Sequence, residues 1–159
     1  MIAIFAWIEQ TPLSVFMRED LWAFPATLIL HSVSMGMLAG GGIVIGLRVL
    51  GVAKGARLEL FAKFIPVMWA GFWLALVTGL LLLSAYPAKA LTNPVFALKF
   101  VMLGAAGLLV RAMAKRVLPA GVAAPDWGRW VAGASLFAWA GAITAGRFLA
   151  YTNHMLLVS

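Results

Sequence analysis

LWAFPATLILHSVSMGMLAGGGIVIGL, residues 21–47, runs without a formal charge and carries one histidine, His31, part-way along. A helix needs about 20 apolar residues to cross the hydrocarbon of a bilayer, and this stretch exceeds that. An unpartnered imidazole is costly in hydrocarbon, so His31 is expected to face other helices rather than lipid. Gly36, Gly40, Gly41, Gly42 and Gly46 leave the later half nearly bare of side chains. Gly36/Gly40 and Gly42/Gly46 are both small-xxx-small pairs, which let a neighbouring backbone approach closely. Tight helix packing, docking of other membrane subunits through the Gly36–Gly46 face, and room for a flat ligand are the uses such a face can have.

The composition agrees with a membrane chain. Of the 159 residues, 64% are hydrophobic and 11% charged, where soluble domains carry about 25% charged residues. The length allows one compact bundle. Further apolar runs at about 64–86, 94–118 and 130–151 complete four expected spans, with residues 21–159 as one transmembrane domain. Residues 1–20 are expected as an N-terminal interfacial segment, with Trp7 as anchor and a short helix starting at Thr11 and Pro12. Met1 to Trp7 has no basic region or cleavage site, so no cleaved signal peptide is expected. Pro87 to Asn93 is expected as a turn, with Asn93 capping a helix that Pro94 opens. Short connections make neighbouring helices antiparallel, and the expected fold is an all-α, up-down four-helix transmembrane bundle.

The net charge of +7 is topological information. Arg48, Lys54, Arg57 and Lys63 lie between the first two spans; Arg111, Lys115, Arg116 and Arg129 lie around the last connection. The opposite side holds Arg18 and Lys89. The positive-inside rule then puts both termini outside, in the periplasm for a bacterial inner membrane.

Two charges remain within spans, Lys99 and Arg147. At ~1.5 Å per residue, His31 lies ~4–5 Å, Lys99 ~7 Å and Arg147 ~10 Å to the outer side of their span centres. Either the two long cations snorkel outward, or they form an inward cationic pocket with His31 at its floor. Such a pocket suits haem propionates, a quinone-site carbonyl or a carboxylate of the N-terminal segment, Glu19 or Asp20. Met35, four residues after His31, and Met102, three after Lys99, are candidate thioether partners. A His/Met set suits haem, and His31 with Met35 suits Cu(I), although methionine in a bundle is also ordinary packing. His154 lies ~15 Å from His31 along the axis if the last helix continues. That is too far for both to ligate one haem, so His154–Met155 reads as a polar tail or an outer metal contact.

Much chemistry is excluded. Without cysteine there are no disulfides, thiolate-held clusters or c-type haem attachment. No phosphate loop, nucleophile elbow or His-Glu-x-x-His occurs, and no nucleic-acid-binding arm. No acidic residue lies within a span, which argues against a transporter built on buried carboxylates.

FPATLILHSVSMGMLAGG (24–41), GLRVLG (46–51), PVMWAGFWLALVTGLLL (66–82), NPVFALKF (93–100) and AGRFLAY (145–151) together look familiar. The chain resembles a family of uncharacterised bacterial four-helix inner-membrane proteins. More loosely, it is similar to the copper-resistance D-type and b-type cytochrome membrane bundles. The resemblance implies a helix-one histidine, the Leu-Arg-x-Leu-Gly corner of residues 47–51, a helix-three lysine and a helix-four arginine: here His31, Lys99 and Arg147. Gly46 stands where an acidic residue is associated with that corner.

Three functions follow as expectations. The first is a b-type haem-binding electron-transfer subunit with His31 as axial ligand and Lys99 and Arg147 for the propionates. The second is a non-catalytic accessory subunit of a larger membrane complex. The third is copper handling through His31, Met35 and Met102. None makes the chain an enzyme by itself.

Overall fold

The computed structural model describes residues 2–121 and 123–151, so His154 and Met155 lie outside the described residues. The described chain is all-helical, with no strand. Helices α1 (Ile2–Glu9) and α2 (Pro12–Glu19) precede the long α3 (Ala23–Leu50). A 3-10 turn (Leu58–Lys63) leads into α4 (Phe64–Ala85); short α5 (Pro87–Leu91), α6 (Pro94–Arg116), a 3-10 turn (Leu118–Ala120) and α7 (Asp126–Tyr151) follow. Three segments, Ala23–Leu50, Leu58–Ala85 and Pro94–Ala120, are long and apolar enough to cross a membrane. Helix α7 has the length, is built largely from Gly, Ala and Trp with Arg147 near its end, and is not among these three segments.

Several boundaries differ from the sequence reading, each for a local reason. Residues 2–9 form a helix, and Pro87 opens a short helix in the expected turn. Helix α3 runs past Leu47 to Leu50 and stops at Gly51, whose φ of 108° is left-handed. There the N–H groups of Gly51 and Val52 donate to Arg48 O and Leu47 O, both at 3.0 Å, the Schellman pattern that satisfies terminal carbonyls. Arg48 is only 3% exposed. Its Nε donates to Ala56 O at 2.8 Å and its Nη2 to Lys54 O and Ala56 O, folding the connection back on the helix end. Charge-assisted bonds of this kind are worth about 1.5–3 kcal/mol. Arg48→Met is therefore expected to lower thermal stability in detergent by about 2–3 kcal/mol; an unchanged unfolding temperature would contradict the assignment.

Packing defines the helix directions. Along α3 and α4, Gly41 faces Met68, Met37 faces Gly71 and His31 meets Thr78, so numbers fall on one helix as they rise on the other. Gly42 lies against Trp139 and Gly46 against Leu136, and Met102 against Gly141 with Lys99 against Gly146. The α3/α4, α3/α7 and α6/α7 pairs are thus antiparallel. Helices α4 and α6 are not packed on each other in this way.

The buried core gathers at one end: Ile45 and Val49 of α3, Met68, Val110 and Met113, Leu58 and Leu118 of the turns, and Trp139. At this end Leu58 N donates to Gly121 O at 2.9 Å, joining the two basic connections. The other end carries α1, α2 and α5. Thr11 caps α2 by accepting from Ser14 N. Ser14 Oγ donates to Ser84 O at 2.7 Å, and Arg18 donates to Ala85 O at 3.1 Å and Glu9 O at 2.6 Å. A cation and a hydroxyl so placed satisfy the electron-rich C-terminal carbonyls of α4. Large apolar side chains, among them Ile29, Val33, Trp73, Val77, Leu98 and Val101, cover the outside of α3, α4 and α6. Such a continuous apolar surface is stable in hydrocarbon rather than water.

Candidate functional site

The end opposite the core contains a cavity of about 360 Å³. Helix α3 supplies Phe24, Leu28, His31, Met35 and Leu38, a spacing of fours and threes that keeps them on one face. Phe72, Ala75, Leu76, Gly79 and Leu83 come from α4, and Phe96, Lys99, Phe100 and Leu103 from α6. Gly146 and Leu149 of α7 complete the wall. Tyr86, between α4 and α5, and Ala90 of α5 lie at the outer end, where the Tyr86 ring meets Phe24 edge-on, centroids 6.1 Å apart. Leu76, Leu80 and Phe100 line the cavity and are nonetheless 40%, 58% and 53% exposed. They mark where α4 and α6 stand apart, so the cavity opens sideways, in a bilayer toward the hydrocarbon.

His31 and Lys99 are the charged or ionisable side chains of this wall other than the phenol of Tyr86. His31 is half-buried, its Nδ1 2.9 Å from Thr78 Oγ1. Gly79 makes room for the ring: a Cβ there would lie 3.3 Å from His31 Cε1. The backbone is held as well, because Ser34 Oγ donates to His31 O at 2.7 Å. Lys99 lays its stem along Gly146, where a Cβ would lie 3.8 Å from Cε and 4.0 Å from Nζ. No acidic side chain lines the cavity, and among the described residues no ion pair neutralises Lys99. A cation held in an apolar wall favours an anionic group beside it.

The other candidate residues are placed differently. Met35 lines the cavity one turn from His31. Met102 is turned toward α7, its Sδ 3.1 Å from where a Cβ of Gly141 would be. Leu103, the next residue, takes the cavity-facing position on α6. Arg147 is exposed and is not among the residues of the wall. Consecutive helical residues point about 100° apart, and Gly146 occupies the inward position. Asp20 Oδ1 accepts from Trp22 N at 2.9 Å and Ala23 N at 2.8 Å, so this carboxylate serves the start of α3. Glu19 is exposed. No group of three or more His, Cys, Asp or Glu able to hold a metal ion occurs among the described residues.

The glycines of α3 divide by use. Gly41, Gly42 and Gly46 are filled from within the chain by Met68, Trp139 and Leu136. Gly36 and Gly40 have nothing within 4 Å of an added Cβ. Thr78 was not among the sequence candidates. A signal existed: it lies three residues past the middle of the 64–86 run, ~4–5 Å to the outer side and level with His31.

Comparisons of the chain with protein-family models, with curated proteins and with solved structures return no match.

Proposed function

We propose that the chain is a four-helix, multi-pass protein of the bacterial inner membrane that holds one b-type haem beside His31 and serves as an electron-transfer subunit. The observation that carries this reading is the pairing of His31 and Lys99 in one otherwise apolar cavity. The donor set fits the cofactor: imidazole for the iron, ammonium for a propionate, and Phe72, Phe96, Phe100 and leucines for the macrocycle. The cavity volume falls in the range of ~300–1,000 Å³ usual for small-molecule and cofactor sites. Bound haem would supply a one-electron iron couple. The chain's own residues orient the imidazole, neutralise negative charge and keep water from the ring. Met35 shares a helix face with His31 and Met102 faces Gly141, so among the expected ligands His31 is the one that would hold the iron.

The test is the visible spectrum and metal content of protein purified from haem-supplied cells. A Soret band with about one iron per chain is the expected result. Copper without a Soret band would favour His31 with Met35 as a copper site, and neither would overturn the cofactor reading.

Gly36 and Gly40 favour a second reading, an accessory subunit that docks another membrane helix on this open strip. Co-purification of larger subunits, lost in Gly36→Leu, is its expected sign.

For topology, both termini are proposed to be periplasmic, supported by the junction of the two basic connections at the core end. The absence of cysteine makes single-cysteine labelling clean. In intact spheroplasts an impermeant maleimide is expected to label Gln10→Cys, and to label Gly55→Cys only after lysis. The reverse pattern would overturn the orientation.

A further inference from the structure

We infer that Thr78 is a positioning residue that sets the tautomer of His31, and through it the chemistry the cavity accepts. A threonine hydroxyl has one proton to donate. Thr78 Oγ1 lies 2.7 Å from Leu74 O, the carbonyl one turn back, and 3.4 Å from Ala75 O. A carbonyl can only accept, so the hydroxyl proton is committed there. Toward His31, 2.9 Å away, the same oxygen must then accept. Nδ1 therefore carries hydrogen and donates to Thr78 Oγ1, and the lone pair of the neutral ring is on Nε2. Thr78 is 3% exposed, so little solvent competes for this bond. With Gly79 beside Cε1 and Ser34 bonded to the His31 carbonyl, the ring is fixed from two helices.

The consequence is specific. Nε2 presents a lone pair and no hydrogen, so it binds a metal centre and does not donate to a quinone carbonyl or a propionate. Among the ligands that Lys99 attracts, Thr78 selects one that brings its own electron-pair acceptor. Outer partners of metal-bound histidines typically change affinity by about 10–100-fold when removed. This rests on the haem reading only for the identity of the group that meets Nε2.

The experiment uses full-length protein in detergent, labelled with ¹⁵N in its histidine rings, in a His154→Gln background so that His31 alone reports. Nitrogen resonances give the tautomer, and hemin titration gives the affinity. In the Thr78 protein the hydrogen is expected on Nδ1. Thr78→Val should move it to Nε2 and weaken hemin binding about tenfold or more, while Thr78→Ser restores both. Circular dichroism of the valine variant separates this from unfolding. A hydrogen on Nε2 with threonine in place, or equal tautomers in the threonine and valine proteins, would overturn the inference. Absence of hemin binding with the tautomer dependence intact would instead sink the haem reading and leave Thr78 its positioning role.

Discussion

On the proposed haem reading, His31→Ala is expected to abolish the Soret band of purified protein and to weaken the binding of titrated hemin more than any other single change in the wall. The size of the effect follows from the wall of the cavity. His31 is its one imidazole; the phenyl and leucine side chains have no lone pair to give the iron, and the Met35 thioether is a turn away on the same helix. Lys99 remains in the wall, so any residual binding is expected to be weak and poorly oriented. The fold should survive. His31 is half-buried, and its ring bonds a hydroxyl that keeps its own bond to Leu74. A net loss of about 1 kcal/mol is expected for such a bond. A Soret band of unchanged position and intensity in the alanine variant would remove His31 from the site.

Gly71→Leu is expected to disrupt the α3/α4 pair. A Cβ at Gly71 would lie 2.8 Å from Ser34 O, 2.9 Å from Met37 Cβ and 3.0 Å from Leu38 N. Two of these atoms are backbone, so no side-chain rotation relieves the contact and the helices must separate. Overpacking a well-fitted interior costs about 1–3 kcal/mol, and leucine at a backbone contact belongs at the upper end. Thr78 is ~10 Å along the same helix, so separation also draws its hydroxyl from His31. Lower thermal stability and loss of hemin binding should appear together. Gly36→Leu is the matched control: nothing lies within 4 Å of its Cβ, and its effect on stability should stay within about 0.5 kcal/mol. Equal unfolding temperatures for the two variants would contradict the packing described.

How far the sequence carried can be read from individual residues. The apolar run around His31 and the lack of formal charge in it were enough to expect the ring among helices, and the basic residues marked which connections share an end. Thr78 was equally legible by depth, but a hydroxyl in an apolar helix more often bonds its own backbone, and it does that too. Met102 and Arg147 were not legible. Spacing places a residue on a helix to within about one position, whereas a 60–100° rotation decides between cavity and neighbour; Leu103 and Gly146 hold the inward places instead. Arg48 read as a loop charge because burial of a guanidinium depends on carbonyls of residues 54 and 56 curling back to meet it. The opening between α4 and α6 has no local signature, since it is a contact that two well-formed helices do not make.

The central claim is that imidazole and ammonium serve one ligand in one chamber. Hemin and its dimethyl ester differ at the propionates, where the ester replaces two carboxylates by neutral methyl esters, so the change in their relative affinity on replacing Lys99 reports on that residue. The expected result is that the protein binds hemin about tenfold more tightly than the ester, the worth of a single well-placed charge contact of ~1.4 kcal/mol, and that Lys99→Met erases the difference while keeping the His31-dependent Soret band. An unchanged preference for hemin in Lys99→Met would contradict the account.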